Sequence, residues 1–318
     1  MSKTPLRQAT TTVRRLGPLD AARCLLLGQP SGSNRAYTLN SLDSDNSRGL
    51  SFVEVARTSL PPRRGLNWVS LRDGLPIAIV TAGPRCDTQS WDLRQLVMGQ
   101  GVDESLPPLL DVVSRTAASV GAKRVFIRLR HDDPATRGVR LAGFFPCFGE
   151  TLYRGTPIRQ TVDGRQLLRE RQAHDDYNLF RLYNMTTPAD VRSTVGMTIE
   201  DWRSSTETPR GRRTEYVLES AGGLASWVRC VRRSSTGLLS MIFQPSAEEG
   251  IASAVEFGLG SLSGATHVFC LVPEYQAGLG RVLAYHGFEV VSKFEVLANT
   301  TAVRDEQDSR TRATATSI

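Results

Sequence analysis

Gly121-Ala122-Lys123-Arg124-Val125-Phe126 recurs in the second half of the chain as Gly264-Ala265-Thr266-His267-Val268-Phe269. Each copy is followed by a short apolar run, a polar turn, a helical pattern and a Gly-Phe pair, Gly143-Phe144 in one half and Gly287-Phe288 in the other. The spacing from the first glycine to the Gly-Phe pair is 22 residues (121 to 143) in the first copy and 23 (264 to 287) in the second. A repeat at this scale decides the architecture before any single element is assigned, because one duplicated unit must account for both halves.

Working outward from the repeat, the starts of the halves also correspond. Val13-Arg14-Arg15 ahead of Asp20 parallels Leu168-Arg169-Glu170 ahead of Asp175. Both read as strand, cap and helix, with the aspartate at an N-cap or first-turn position where a carboxylate meets unpaired backbone N–H groups. Between these landmarks the first half gives a helix over 52–59, three strands over 66–71, 77–81 and 91–98, a helix over 107–120, a strand over 125–129, a helix ending at Gly143 and a strand over 151–154. The second half gives strands over 215–219, 224–232 and 238–243, a helix over 248–259, a strand over 268–272, a helix over 277–285 and terminal strands through 303.

β-branched residues alternating with polar ones, punctuated by Asp73-Gly74 and Gly83-Pro84, predict an antiparallel meander. The expected class is therefore α/β with a mixed sheet (α+β): two tandem domains, residues 1–158 and 159–304, each a mostly antiparallel sheet with flanking helices. A linker is expected over 155–163 and a long surface loop over 204–213. The polar stretch 305–318 reads as a disordered tail.

Composition narrows the function classes. A chain of 318 residues fits two domains of ordinary size, and no apolar run approaches the roughly 20 residues of a spanning helix. The first dozen residues lack the apolar core of a secretory signal. Cys24, Cys86, Cys147, Cys230 and Cys270 contain no CxxC pair, so they read as reduced, buried thiols in a cytoplasmic protein. The net charge is +7, yet of 39 basic residues only Lys3, Lys123 and Lys293 are lysine. The pairs Arg14-Arg15, Arg63-Arg64, Arg212-Arg213 and Arg232-Arg233 are dispersed and lack interleaved aromatics, which reads as solvated surface rather than a nucleic-acid platform.

The element order resembles the GNAT (N-acetyltransferase) superfamily, once per half. The resemblance rests on 109–144 with Glu150-Thr151-Leu152-Tyr153-Arg154, and on 241–288, which are similar to the family's strand four, helix three, strand five, helix four and Gly-Phe turn. It implies transfer of an acyl group from acetyl-CoA or another acyl-CoA to a small-molecule or peptide amine by direct attack. In that fold strands four and five splay, the pantetheine arm lies between them, and the pyrophosphate meets unpaired N–H groups at the start of helix three.

The family's loop at that point, (Gln/Arg)-x-x-Gly-x-(Gly/Ala), has a diverged counterpart in each half. The first reads Val97-Met98-Gly99-Gln100-Gly101-Val102-Asp103-Glu104-Ser105, which keeps two glycines and makes Val97, Met98, Gly99, Gln100 and Gly101 the cofactor candidates. The second reads Phe243-Gln244-Pro245-Ser246-Ala247-Glu248-Glu249-Gly250, in which Ser246 and Glu249 form a capping box. Two readings stand for both loops: a diverged CoA site, or helix starts capped by the protein itself.

Catalytic candidates are few. The family's leaving-group tyrosine falls on Val139 and Leu283. Tyr285, two residues on, is turned by roughly 200° around the helix. Asp92, at the start of the first half's fourth strand, is the candidate base, and the corresponding second-half strand has no acid. His131, His174, His267 and His286 lack metal-ligand spacing, and His131-Asp132-Asp133 reads as a polar turn capping the next helix. The sequence thus supports an N-acyltransferase with at least one degenerate half. Its alternative is a non-catalytic small-molecule-binding or scaffold protein.

Overall fold

The computed structural model describes residues 11–27, 33–42, 66–99, 103–158, 168–220, 222–244 and 248–301. The helix expected over 52–59, the tail over 305–318, and Gln100, Gly101 and Ser246 lie outside them.

Twelve strands form one sheet in the order β1-β2-β3-β4-β5-β12-β6-β11-β10-β9-β8-β7. The first-half strands are β1 (Thr11–Arg15), β2 (Asn67–Arg72), β3 (Leu75–Pro84), β4 (Ser90–Met98), β5 (Arg124–Arg130) and β6 (Phe145–Gly155). The second-half strands are β7 (Leu168–Glu170), β8 (Arg212–Ser220), β9 (Gly223–Arg233), β10 (Thr236–Phe243), β11 (His267–Pro273) and β12 (Glu289–Thr300). The order is a palindrome of two six-strand sets in which the last strands have changed places. β12 lies against β5, β6 lies against β11, and β12 and β6 pair with each other at the centre. All pairings are antiparallel except β4 with β5 and β10 with β11.

This corrects the expectation of a separate sheet in each domain. Side-chain alternation tells which face of a strand is buried, and says nothing about which open edge the strand joins. The strand expected over 151–154 is longer, because β12 pairs with β6 from Phe145 to Arg154 while β11 pairs with its other edge from Glu150 to Gly155. The terminal strands through 303 are a single strand, β12, with irregular register at two points.

Helices cover both faces, which explains the long buried runs in β3 and β4. One face carries α2 (Leu106–Ser119) and α3 (Ala135–Leu141) over the first half, and α7 (Glu248–Ser261) and α8 (Ala277–Tyr285) over the second. α2 starts with its prolines, where a missing N–H is harmless, and buries Leu106, Leu109, Leu110, Val113 and Ala117 at helical spacing. The other face carries α1 (Pro18–Leu27), α4 (Asp176–Thr186), α5 (Ala189–Val195) and α6 (Ile199–Ser205).

Equivalent devices recur in the two halves. Asp20 accepts from the Gly17 N–H at 2.9 Å and from Arg14 at 2.6 Å; Asp175 accepts from the Gln172 N–H at 2.7 Å and from Arg169 at 2.7 Å. Both arginines stand six residues ahead of their aspartates. α3 and α8 both end on a left-handed glycine, Gly143 (φ 85°) and Gly287 (φ 77°). The next residue's N–H closes back on the helix, Phe144 to the Val139 carbonyl and Phe288 to that of Leu283. The two phenylalanines then drop into the two large cores.

Two further expectations are corrected. The surface loop over 204–213 is in part interior: Ser204 is fully buried, Ser205 nearly so, and only 10% of the Glu207 side chain is exposed. Cys86 is exposed, and Cys24 and Cys147 are half-buried, whereas Cys230 and Cys270 are buried as expected.

Candidate functional site

The two parallel pairings are short, and past them the strands part. β4 and β5 pair only at Ser90 with Arg124, Trp91 with Val125 and Asp92 with Phe126. β10 and β11 pair from Thr236 with His267 to Leu239 with Cys270. Each half therefore contains a wedge that opens toward the C-terminal ends of its two parallel strands, where backbone N–H and C=O groups must find partners elsewhere.

In the first half those groups are met by the chain itself. The Arg35 N–H donates to the Leu96 carbonyl at 2.8 Å, and the Tyr37 N–H to the Arg128 carbonyl at 3.0 Å. Asn34 completes the bridge, its Oδ1 accepting from the Leu96 N–H at 2.9 Å and from the Ala36 N–H at 3.1 Å. Residues 34–37 thus span the wedge as an irregular bridging segment, with Ala36 fully buried in the core beneath α2. The Tyr37 ring packs tilted against Phe294 of β12, with ring centroids 4.9 Å apart, and Arg35 is held at 3.1 Å by Asp133. Asp133 also accepts from the Ala135 N–H at 2.8 Å, the capping role read for this turn in the sequence.

Val97 and Met98, the first cofactor candidates, are buried at the end of β4, and the Gly99 N–H donates to the Ile77 carbonyl at 3.1 Å. Asp92 sits at the apex of the first wedge. Its carboxylate is held at 2.6 Å by Nε of Arg85, whose guanidinium also lies 3.9 Å above the Phe126 ring. Burial pushes the Asp92 carboxyl up, to about 6, against the opposing charge of Arg85.

Asp92 belongs to a larger interior charge network. Arg128 on β5 donates to Glu150 on β6 at 2.6 Å and to Glu207 at 2.6 Å, and Arg85 donates to the Ser205 carbonyl at 2.7 Å. The second oxygen of Glu207 accepts from the Leu39 N–H at 2.9 Å. Burial by itself would raise the Glu207 pKa, but Arg128 and Arg85 outweigh it and hold the carboxyl at about 2. The network joins both halves and the wedge-spanning segment through one carboxylate. It was missed in the sequence because its members are far apart in the chain; the signal that could have found it is an acid in a stretch otherwise read as loop.

The second wedge differs. Among the described residues, no backbone group from another segment bridges residues 240–243 of β10 and 271–273 of β11. Gln276, at the head of α8 just past β11, is buried and its Oε1 has no partner. Gly278 in the first turn of α8 leaves room against the ring of Phe243, the last residue of β10. On the face carrying α4 to α6, Trp227, Ser240, Ile242, Phe269 and Leu271 are half-buried around the wedge apex. Arg229 lies buried beneath them on β9, opposite Ser240. Tyr275, half-buried beyond β11, packs 5.8 Å from Phe148, and burial pushes its hydroxyl pKa up. Tyr285 lies elsewhere, on the last turn of α8, 87% exposed and against His286. Asp92 and Tyr285 are therefore not brought together.

No family model and no curated protein matches the chain. Solved structures do. A GCN5-related N-acetyltransferase from Sphaerobacter thermophilus matches with a TM-score of 0.53 at 15% identity, over 92% of this chain and 96% of that one. A tandem GNAT protein from the clavulanic acid biosynthesis pathway matches with a TM-score of 0.46 at 12% identity, over 93% and 100%. The N-myristoyltransferase of Saccharomyces cerevisiae matches with a TM-score of 0.47 at 11% identity, over 94% and 80%. The chain therefore shares the fold of that Sphaerobacter GCN5-related N-acetyltransferase.

Proposed function

We propose that the chain is an acyl-CoA-dependent N-acyltransferase built by tandem duplication, with unit boundaries near residue 158, and that its second wedge receives the acyl donor. The palindromic strand order and the matched Arg14–Asp20 and Arg169–Asp175 devices support the duplication. One observation carries the choice of wedge: residues 34–37 bridge the first, and no described backbone bridges the second. The first half is then the degenerate one, acting as a scaffold.

The residues around the second wedge fit a pantetheine arm. Such an arm carries amide groups, and the buried Gln276 Oε1 and the unbridged backbone edges of β10 and β11 lack partners for just such groups. When bound, an acyl-CoA supplies an activated acyl group. The protein's part is to hold the donor and exclude water with Met241, Phe243 and Val272. The acidic pair Glu248-Glu249 in the sequence favours the alternative, a non-catalytic small-molecule-binding or scaffold protein, because acidic residues at a helix start disfavour a pyrophosphate.

Titration calorimetry and melting with acetyl-CoA test the proposal on the wild type, Gly278→Leu and Gly99→Val. A donor at about 100 times its dissociation constant stabilises the protein by roughly 2.7 kcal/mol. Heat and a melting shift in the wild type and Gly99→Val, lost in Gly278→Leu, are the expected result. Loss in Gly99→Val alone moves the donor to the loop Val97-Met98-Gly99-Gln100-Gly101. No heat at millimolar acetyl-CoA leaves the non-catalytic reading.

A further inference from the structure

Arg229 is the cation that the interior charge network leaves over. It is 5% exposed, yet no carboxylate lies within ion-pair distance among the described residues. Its Nη1 donates to the Glu207 backbone carbonyl at 3.0 Å, its Nη2 reaches the Ser240 hydroxyl at 3.4 Å, and its Nε has no partner. The nearby acids are engaged elsewhere. Glu207 accepts from Arg128 and the Leu39 N–H, while Glu215 holds Arg171 at 3.3 Å, Arg213 at 3.5 Å and the Trp227 indole N–H at 3.3 Å. By contrast, Arg85 and Arg128 each have a carboxylate at 2.6 Å. Burial lowers the Arg229 pKa to about 10, which still leaves it charged at neutral pH. Glu215 and Glu207 offset part of that burial from a distance, but a buried guanidinium with no carboxylate in direct contact is costly, and an anionic ligand would lower the cost.

Its position says what kind of anion. Ser240 is both the cross-strand partner of Arg229 and the first residue of β10 beyond its pairing with β11, so Arg229 lies directly beside the apex of the second wedge. The half-buried Trp227, Ser240, Ile242 and Leu271 line this point, and the Trp227 ring flanks the guanidinium at 5.2 Å. We propose that Arg229 and the Ser240 hydroxyl bind the carboxylate of a short amino acid whose amine is presented at the apex of the second wedge. The role of that amine as acceptor rests on the acyltransfer reading; the carboxylate site does not. In the transfer, the amine nitrogen bonds to the acyl carbon and the C–S bond breaks with its electron pair on sulfur. The proton released by the amine passes through water to the thiolate.

The test is binding without any CoA. Calorimetry compares a panel of N-acetyl-L-amino acids, each beside its carboxamide, on the wild type, Arg229→Met, Arg229→Lys and Ser240→Ala, with circular dichroism confirming the fold of each variant. A charged hydrogen-bonded contact predicts a preference of roughly tenfold or more for acid over amide in the wild type, abolished in Arg229→Met and partly kept in Arg229→Lys. Since Arg229 has no counterion to orphan, Arg229→Met should fold. If it does not, Ser240→Ala and Arg229→Lys, which leave the packing in place, carry the comparison. Equal binding of acid and amide, binding of neither, or a preference that survives in Arg229→Met overturns the proposal. Acid preference without acetyl-CoA binding keeps the carboxylate site and removes the acyltransfer reading; acetyl-CoA binding without acid preference does the reverse.

Discussion

Glu207 ties three segments together with one side chain: Arg128 of β5, Arg85 after β3, and the Leu39 N–H of the wedge-spanning segment. Its depressed pKa sets the sign of a pH effect. A carboxyl lowered on folding contributes stability that is complete above its unfolded value of ~4.5 and is lost as pH falls toward about 2. Glu207→Gln should therefore be less stable than the wild type by roughly 3–5 kcal/mol at neutral pH, because Arg128 and Arg85 lose a buried partner. Urea midpoints should show that gap narrowing as pH drops below ~4.5; a gap constant into acid would mean that the charge contributes nothing. Around Thr206-Glu207-Thr208-Pro209 the sequence offers only an acid in a stretch read as loop, which names no partner. Charged residues rarely sit inside without a partner, and the arginine that pairs with Glu207 is 79 residues away.

Residues 34–37 do the work of a strand without looking like one. Asn34-Arg35-Ala36-Tyr37 has neither length nor alternation, and it bridges the two strands only because β4 and β5 part and leave a slot of backbone partners. Asn34→Ala removes the acceptor of the Leu96 N–H and should cost about 1–3 kcal/mol, the penalty of an unmade buried hydrogen bond. Hydrogen exchange checks the placement: the Leu96 amide should lose protection in the variant while that of Leu93, paired with Ala82, keeps its own. Unchanged protection at Leu96 would contradict the bridge. By contrast, α2, α8 and the Gly-Phe helix ends were legible, since periodicity, an initial proline pair and a terminal glycine are local signals.

At the scale of the molecule, β12 inserted between β5 and β6 makes each half dependent on the other's last strand. Residues 1–158 and 159–318 expressed separately should each be insoluble or self-associated, because each lacks the strand that covers an open edge. Coexpressed, they should co-elute as one species. A monomeric, folded 1–158 fragment would show that the exchange is dispensable. The repeat, most of the element order (though not α5 and α6), the capping aspartates and the glycine turns were legible in the sequence alone, because each depends on backbone preferences and periodicity within short stretches of chain. Which strands became neighbours, which wedge the chain closed on itself, and which arginine was left without a carboxylate were decided only by the tertiary structure. Those outcomes depend on pairings between residues distant along the chain, and a strand's pattern specifies its buried face without naming its partner.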